Sequence, residues 1–357
     1  MHASPLPPLA DPATRNVALL RLRVGMGDLL CTVPALRSLR RVRPDVRIVL
    51  VTWREVAPVV DRMSAYVDEL LDFPGYPGIP ERPPAPSWER WVCEVRARRF
   101  DLAVQMYGDN PAANDVTAAV GARFVGGFAP TAGPARDLAT HLPYPHEDHE
   151  IRRHLRLLEL LGVPRSAGDE VLEFALTDAD EQGAARLRAA AGLERGRYVV
   201  LHPGATSGSR RWPADRFAAV GDALAAQGLD VVVAGVRGEE EVTSAVLRAM
   251  RRPAVDLTAR TTLGEYAVLL RDAAALVAND TGSAHLCAAV GGRSVTVFLS
   301  GDPRRWRHAP ELQSVARVDV GCNPCHHLVC PIDFRCADRV TVPHVLELVT
   351  GHLPARR

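Results

Sequence analysis

The sequence contains no lysine, so all 43 of its basic side chains, set against 42 acidic ones, are arginines. The formal net charge of +1 leaves no excess of positive charge for nucleic acid or an anionic membrane. No apolar run approaches the roughly 20 residues that a membrane-spanning helix needs. The N-terminal residues MHASPLPPLADPAT lack the basic and apolar regions of a secretory signal. We therefore expect a cytoplasmic protein with no transmembrane segment and no nucleic-acid partner.

The chain has enough residues and apolar content for two α/β domains, with 357 residues of which 47% are apolar. Short apolar runs alternate with amphipathic stretches over 17–163 and again from Tyr198. This alternation predicts βαβ units and parallel sheets, hence two Rossmann-like, doubly wound domains that face each other across a cleft. The predicted parts are a flexible tail (1–14), an N-terminal domain (15–172), a C-terminal domain (173–340), and a C-terminal helix (341–357) that is a candidate to pack back on the first domain.

The segment RLRVGMGD (21–28) lies where a predicted strand meets a predicted helix, the position at which α/β proteins build their sites. Its glycines allow close approach of the backbone, and Asp28 follows them at the start of the helix. Asp28 is interpreted either as a helix N-cap, a position that aspartate favours, or as an acidic group that faces the cleft. The segment alone leaves both interpretations open.

A small-residue loop in LHPGATSGSRRWP (201–213) joins a strand to a helix that begins near Pro213. Backbone N–H groups in such a loop bind anions. Arg210 or Arg211 can add a charge-assisted hydrogen bond to phosphate, unless both arginines are solvated surface residues.

Two further strand ends carry polar groups. In ANDTGSAH (278–285), Thr281 and Gly282 stand at a helix start that favours a diphosphate, with His285 one turn later. In VAGVRGEEE (233–241), Glu239 is a candidate to accept hydrogen bonds from ribose hydroxyls. The alternatives are a structural histidine and a favourable charge in the first turn of a helix.

Taken in order, GMGDLLCTVPALRSLRRVRP, LHPG with RRWP, the Gly–Glu turn and ANDTGSAHLCAA resemble the ADP-heptose:lipopolysaccharide heptosyltransferase family, glycosyltransferase family nine. The resemblance runs from about Val17 to beyond Val345 and implies the GT-B fold, with an acceptor-side N-terminal domain (15–172) and a C-terminal domain (173–340) that binds the nucleotide sugar. It implies an inverting enzyme of lipopolysaccharide biosynthesis that transfers a heptose or related sugar from ADP-heptose to a hydroxyl of a glycan, lipid-linked or small-molecule acceptor. A GT-B sugar-nucleotide epimerase and a non-catalytic sugar-nucleotide-binding protein are the alternatives.

The resemblance also implies roles for single residues. Asp28 matches the family's candidate general base, and the family's usual Lys before Trp–Pro is replaced here by Arg210 and Arg211. No metal is expected to be required, because Asp178–Ala–Asp180 starts a polar helix and is interpreted as a cap. The expected donor-binding residues are Thr206, Arg210, Arg211, Glu239, Asp280, Thr281, Gly282 and His285.

Seven cysteines remain to be placed. Four of them, Cys322, Cys325, Cys330 and Cys336, follow the pattern C-x2-C-x4-C-x5-C. In a cytoplasmic protein this spacing indicates a zinc or iron–sulfur site, with free or partly paired thiols as the alternative. The other three, Cys31, Cys93 and Cys287, lie in apolar surroundings and are expected in the core.

Overall fold

The computed structural model describes residues 6–134 and 136–353. The chain divides into two compact units, Met1–Val171 and Leu172–Arg357, close to the boundary expected at 172/173. Among the described residues, every helix is too short or too polar to cross a bilayer.

The first unit is a six-stranded parallel sheet flanked by helices, with strand order β3-β2-β1-β4-β5-β6. Its strands are β1 (Asn16–Leu20), β2 (Arg47–Thr52), β3 (Glu69–Asp72), β4 (Leu102–Gln105), β5 (Phe124–Ala129) and β6 (His141–Pro143). Its helices are α1 (Met26–Leu30), α2 (Val33–Val42), α3 (Ala57–Val60), α4 (Trp88–Ala97), α5 (Pro111–Ala119) and α6 (Glu150–Leu160), with 3-10 turns at Arg54–Val56 and Asp61–Met63.

The second unit repeats this architecture. Its strands are β7 (Tyr198–His202), β8 (Asp230–Val233), β9 (Val255–Asp256), β10 (Ala275–Asn279), β11 (Ser294–Val297) and β12 (Gln313–Ala316). Its helices are α7 (Asp178–Ala191), α8 (Ala214–Ala226), α9 (Glu240–Ala249), α10 (Leu263–Asp272), α11 (Gly282–Ala289), α12 (Pro303–Trp306), α13 (Arg335–Arg339) and α14 (Val342–Thr350), with a 3-10 turn at Gly208–Arg210. The strands pair in parallel in the order β12-β11-β10-β7-β8-β9. Each unit therefore has the Rossmann strand order, as predicted.

The central strands β1, β7 and β10 are apolar between their end residues, because helices cover both faces of each sheet. All five residues of β7 and of β10 are buried, and β1 is buried after its first residue. Polar side chains are therefore confined to the strand ends and the loops that follow them.

Helix α7 confirms that Asp178–Ala–Asp180 is a cap. The Thr177 hydroxyl accepts a hydrogen bond from the backbone N–H of Asp180, and the Asp180 carboxylate accepts one from the N–H of Thr177 at 2.8 Å. This reciprocal pair is a capping box, which satisfies N–H groups that a helix start leaves unpaired.

The predicted flexible tail over 1–14 is wrong for its described part, whereas residues 1–5 lie outside the described residues. Leu9 is fully buried, and its N–H donates to the carbonyl of Leu161 at 2.8 Å. The guanidinium of Arg43 donates to the carbonyls of Leu9, Asp11 and Thr14. A proline-rich segment has few N–H groups with which to pair in a sheet, and here one arginine satisfies its carbonyls instead.

The C-terminal helix, a candidate to pack back on the first domain, makes its apolar contacts within the second unit. Val345 and Val349 of α14 are buried in the apolar core of the second unit, where the helix packs on α8, β11 and β12. Its apolar stripe is therefore already covered within its own unit. Residues 354–357 lie outside the described residues.

We expect Leu9→Ala to lower the free energy of unfolding by about 2–4 kcal/mol, because it leaves a cavity where a fully buried side chain stood. Leu6→Ala is the control, since Leu6 is 63% exposed and its loss should cost less than about 0.5 kcal/mol. Urea unfolding of the two variants measures the difference. Equal midpoints would contradict the packed N-terminal segment.

Candidate functional site

The polar residues that form the candidate site of the second unit lie at the carboxyl ends of β7, β8, β10 and β11. Strands β7 and β10 are neighbours in the sheet. From β7 the chain continues through β8 to β9 on one side, and from β10 it continues through β11 to β12 on the other side. Ligands bind at such a switch point. The segments that follow these strands contain all eight predicted donor-binding residues, of which Gly282 and His285 lie in helix α11.

Arg210 and Asp280 are brought together at this edge. The Asp280 side chain is buried directly after β10, and its Oδ2 lies 3.4 Å from Nη1 of Arg210. A Cβ added to Gly301 would lie 2.0 Å from that oxygen, so only glycine leaves room for the carboxylate. Arg210 is 38% exposed and can still present its charge to a ligand.

Arg211 has a different position. Its Nε donates to the carbonyl of Ala205 at 2.8 Å and so closes the loop that follows β7. Thr206 lies in the same loop and is exposed. Of the two arginines considered for the diphosphate, Arg210 is thus the one at the end of β10.

Thr281 is the N-cap of the eight-residue helix α11, but its hydroxyl makes no capping hydrogen bond. Gly282 is the first helical residue, and His285 lies one turn on, buried. Nδ1 of His285 is 2.6 Å from Nε2 of His308, so one of the two nitrogens donates to the other. His308 was not predicted, because no motif surrounds it in the sequence.

Glu239 is held against the end of β7. Its Oε2 accepts from the N–H of Val236 at 2.9 Å and lies 3.5 Å from Nε2 of His202. Burial lowers the pKa of His202, an effect that the Glu239 charge opposes. A Cβ on Gly204 would lie 2.0 Å from Glu239 Oε1, so no residue larger than glycine fits at position 204.

Asn279 is a site residue that the sequence analysis missed. It is fully buried at the end of β10, where Nδ2 donates to the carbonyl of Pro203 at 2.8 Å and Oδ1 accepts from the N–H of Trp212 at 3.0 Å. One amide therefore fixes both ends of the loop 203–212. The available signal was a polar residue that continues an otherwise apolar strand.

Asp28 lies in the first unit, in helix α1, with its side chain 27% exposed. The N-cap of α1 is Gly25, so the interpretation of Asp28 as an N-cap is wrong. The Asp28 Oδ1 lies 3.1 Å from Nη2 of Arg21, which is almost completely buried. Asp28 is thus a partly exposed carboxylate held by a buried cation.

The four clustered cysteines differ in exposure. Cys322 is exposed, Cys325 and Cys330 are half-buried, and Cys336 is buried; none is in a disulfide. Burial raises the pKa of the Cys336 thiol, and the charges of the other three raise it further. Among the described residues, no three of these sulfur atoms lie within 4.8 Å of one another.

Among the remaining cysteines, Cys31 and Cys287 are buried, as predicted. Cys93 is exposed, and its prediction as a core residue is wrong. It lies on the outer face of the amphipathic helix α4, whose buried residues are Trp91 and Val95.

The segment that holds the clustered cysteines packs on the loop after β7. The N–H of Ser209 donates to the carbonyl of Leu328 at 2.9 Å, and its hydroxyl donates to the carbonyl of His327. The N–H of Cys325 donates to the carbonyl of Ser300, next to the end of β11, at 2.9 Å. The cysteine segment therefore supports two of the loops of the candidate site.

We expect Asn279→Ala to lower the free energy of unfolding by about 1–3 kcal/mol for each buried group it leaves unpaired. Amide hydrogen exchange over 203–212 should become faster, because both ends of the loop are released. Thr206→Ala is the control in the same loop and should change neither quantity. Unchanged exchange in Asn279→Ala would show that the loop is held by other contacts.

The sequence profile of glycosyltransferase family 9 (heptosyltransferase) matches residues 88–334, well over half of the chain. Lipopolysaccharide heptosyltransferase 3 of Escherichia coli K12 is 23% identical over 299 residues, which cover 79% of this chain and 82% of that protein. Both findings agree with the motifs that run through the two units.

Two solved structures share the fold. The glycosyl transferase family 9 from Veillonella parvula DSM 2008 matches with a TM-score of 0.77 at 17% identity, over 96% of this chain and 98% of that one. The dodecameric iron-containing heptosyltransferase TibC of enterotoxigenic E. coli, in complex with ADP-D-β-D-heptose, matches with a TM-score of 0.58 at 14% identity, over 95% of this chain and 76% of that one. The predicted GT-B fold is confirmed, and with the profile match it follows that the chain belongs to glycosyltransferase family 9, the heptosyltransferases.

Proposed function

We propose that this transferase moves a heptose, with inversion, from ADP-heptose to a hydroxyl of a lipopolysaccharide-type glycan. The single observation that carries the proposal is the set of charged groups at one sheet edge, where Arg210 and Asp280 lie at the start of α11 and Glu239 lies two strands away. ADP-heptose is the ligand of TibC, and lipopolysaccharide is the acceptor in the name of the E. coli relative.

The donor fits these groups by its chemistry. The diphosphate takes the N-terminus of α11 at Thr281 and Gly282, where the helix dipole and backbone N–H groups favour an anion. The Arg210 guanidinium adds a charge-assisted hydrogen bond. Glu239, already oriented by the N–H of Val236, accepts from the ribose hydroxyls.

Asp28 acts as the general base. The acceptor oxygen attacks the anomeric carbon and loses its proton to the Asp28 carboxylate, while the bond from that carbon to the diphosphate oxygen breaks and ADP leaves with the electron pair. The negative charge that develops on ADP is stabilised by Arg210 and the start of α11. This route requires no divalent metal ion.

We expect Asp28→Asn to lower kcat by roughly two to four orders of magnitude, the usual contribution of a general base, with ADP affinity by calorimetry unchanged. Asp115→Asn, at an exposed carboxylate of the same unit, is the control. The rate of the unaltered enzyme should not depend on magnesium or manganese, and activity that EDTA abolishes and either ion restores would contradict this. A near-normal rate in Asp28→Asn would remove Asp28 from the mechanism.

A donor screen tests the function itself. Turnover is measured with ADP-heptose and with UDP-, GDP- and dTDP-sugars, each with and without a glycan acceptor. Release of ADP that depends on the acceptor supports the transferase. An altered sugar nucleotide without any acceptor would indicate an epimerase, and binding without turnover would indicate a non-catalytic protein.

We also propose that Cys322, Cys325, Cys330 and Cys336 bind a metal ion, either zinc or iron, the latter as a single ion or a cluster. Four thiolates within one segment suit these metals, and the structurally similar TibC contains iron. Binding would draw the four sulfurs together and stiffen the segment whose carbonyls accept from Ser209. The metal has no part in the transfer step.

Metal analysis of the purified protein should find zinc or iron that is lost in Cys325→Ser and in Cys330→Ser. Cys93→Ser, at an exposed cysteine of the first unit, should keep it. Loss of the metal should also weaken ADP binding several-fold, because the loop after β7 loses its support. Equal metal content in all three variants would place the metal elsewhere.

A further inference from the structure

Arg21 is a charged residue in an unusual place, directly after β1 in the centre of the first sheet. Its side chain is only 1% exposed, although an isolated buried charge is strongly disfavoured. Its backbone N–H donates to the carbonyl of Val51 in β2, one residue beyond the last residue of β1 that pairs with β2. Such a cation must be compensated by the groups that surround it.

The compensation comes from both the side chain and the backbone of Asp28. Nη2 of Arg21 lies 3.1 Å from the Asp28 carbonyl and 3.1 Å from its Oδ1. The guanidinium therefore constrains where residue 28 lies and how its carboxylate is turned. The other carboxylate oxygen, Oδ2, faces Gly25, where an added Cβ would lie only 2.5 Å away.

Arg21 is itself held by three further acceptors. Nη1 donates to the carbonyls of Met106 and Tyr107 at 2.8 and 3.2 Å, and Nη2 donates to Oε1 of the buried Glu150 at 3.0 Å. These contacts use the planar fork of the guanidinium, which the point charge of a lysine cannot reproduce. The position of Asp28 is thus set by residues far from it in sequence.

We propose that Arg21 is a positioning residue of the transfer reaction, which orients Asp28 through Oδ1 so that Oδ2, beside Gly25, receives the proton of the acceptor. This inference rests on the proposed role of Asp28 as the base. Glu150 accepts from the same Nη2 that contacts Asp28, so a second carboxylate holds Arg21 when the charge on Asp28 changes during the reaction.

Other ionisable groups lie around this pair. Arg23 lies close enough for its charge to interact with that of Asp28, and Arg153 donates to Oε2 of Glu150 at 2.8 Å. Glu81 and Tyr107 contact Arg23. Tyr144 contacts Arg153, and His154 contacts Glu150.

The test is Arg21→Lys, which keeps the charge and loses the fork. We expect kcat to fall roughly 10- to 100-fold, as for a misplaced catalytic group, with the KM for the nucleotide sugar within about twofold of normal. A second variant, Glu150→Gln, should lower kcat in the same way but by a smaller amount, because Arg21 keeps its contacts with Met106 and Tyr107.

Arg153→Lys is the matched control, because Arg153 is equally buried and contacts Glu150 but no atom of Asp28. It should lower the thermal midpoint as much as Arg21→Lys while kcat stays near normal. If both variants lower kcat equally, Arg21 is only structural and the inference is overturned.

A double-variant cycle separates this failure from that of the base itself. In the Asp28→Asn background, Arg21→Lys should cause no further loss of kcat, because the two residues act as a unit. Additive losses would overturn the positioning role. A fully active Asp28→Asn would instead overturn the proposed base, and the positioning role with it.

Discussion

The parallel pairing of β10 with β7 is the constraint on which the candidate site of the second unit depends. Its register sets Ala278 beside His202, so two chain segments some 75 residues apart end at the same sheet edge. The buried amide of Asn279 then joins the loop after β7 to the end of β10 through contacts with Pro203 and Trp212. Because these bonds lie in the core, where an unpaired amide is costly, the loop has one arrangement and its polar groups are preorganised.

Close packing of glycine against carboxylate recurs at the three acidic residues of the proposed mechanism. Gly25 faces Asp28, Gly204 faces Glu239 and Gly301 faces Asp280, and each approach is too short for any side chain. A carboxylate that touches backbone in this way is restricted in orientation and shielded from water on one side. The three glycines therefore act as spatial requirements of the site and not as sources of flexibility.

The absence of lysine has a structural counterpart. Arginine takes the buried and bridging positions, as with Arg21 beneath Asp28, Arg43 around the N-terminal segment and Arg210 at Asp280. A guanidinium can donate to several carbonyls and a carboxylate at once, which explains how such charges are tolerated inside the units. The N-terminal segment is packed for this reason, although its composition resembles that of a flexible tail.

The sequence by itself determined the two Rossmann-like units, the family and the four strand–helix junctions, because buried parallel strands and glycine turns leave strong local patterns. It also determined that Asp178 and Asp180 belong to a helix cap, which is a contact across only three residues. Tertiary structure alone decided the rest. It selected Arg210 over Arg211 at Asp280, placed Asn279 and His308 in the site, buried Leu9 and fixed Asp28 on Arg21. Except for the contact of Arg21 with Asp28, each of these depends on pairing between segments distant in the chain, and no local pattern records which partner a buried polar group will find.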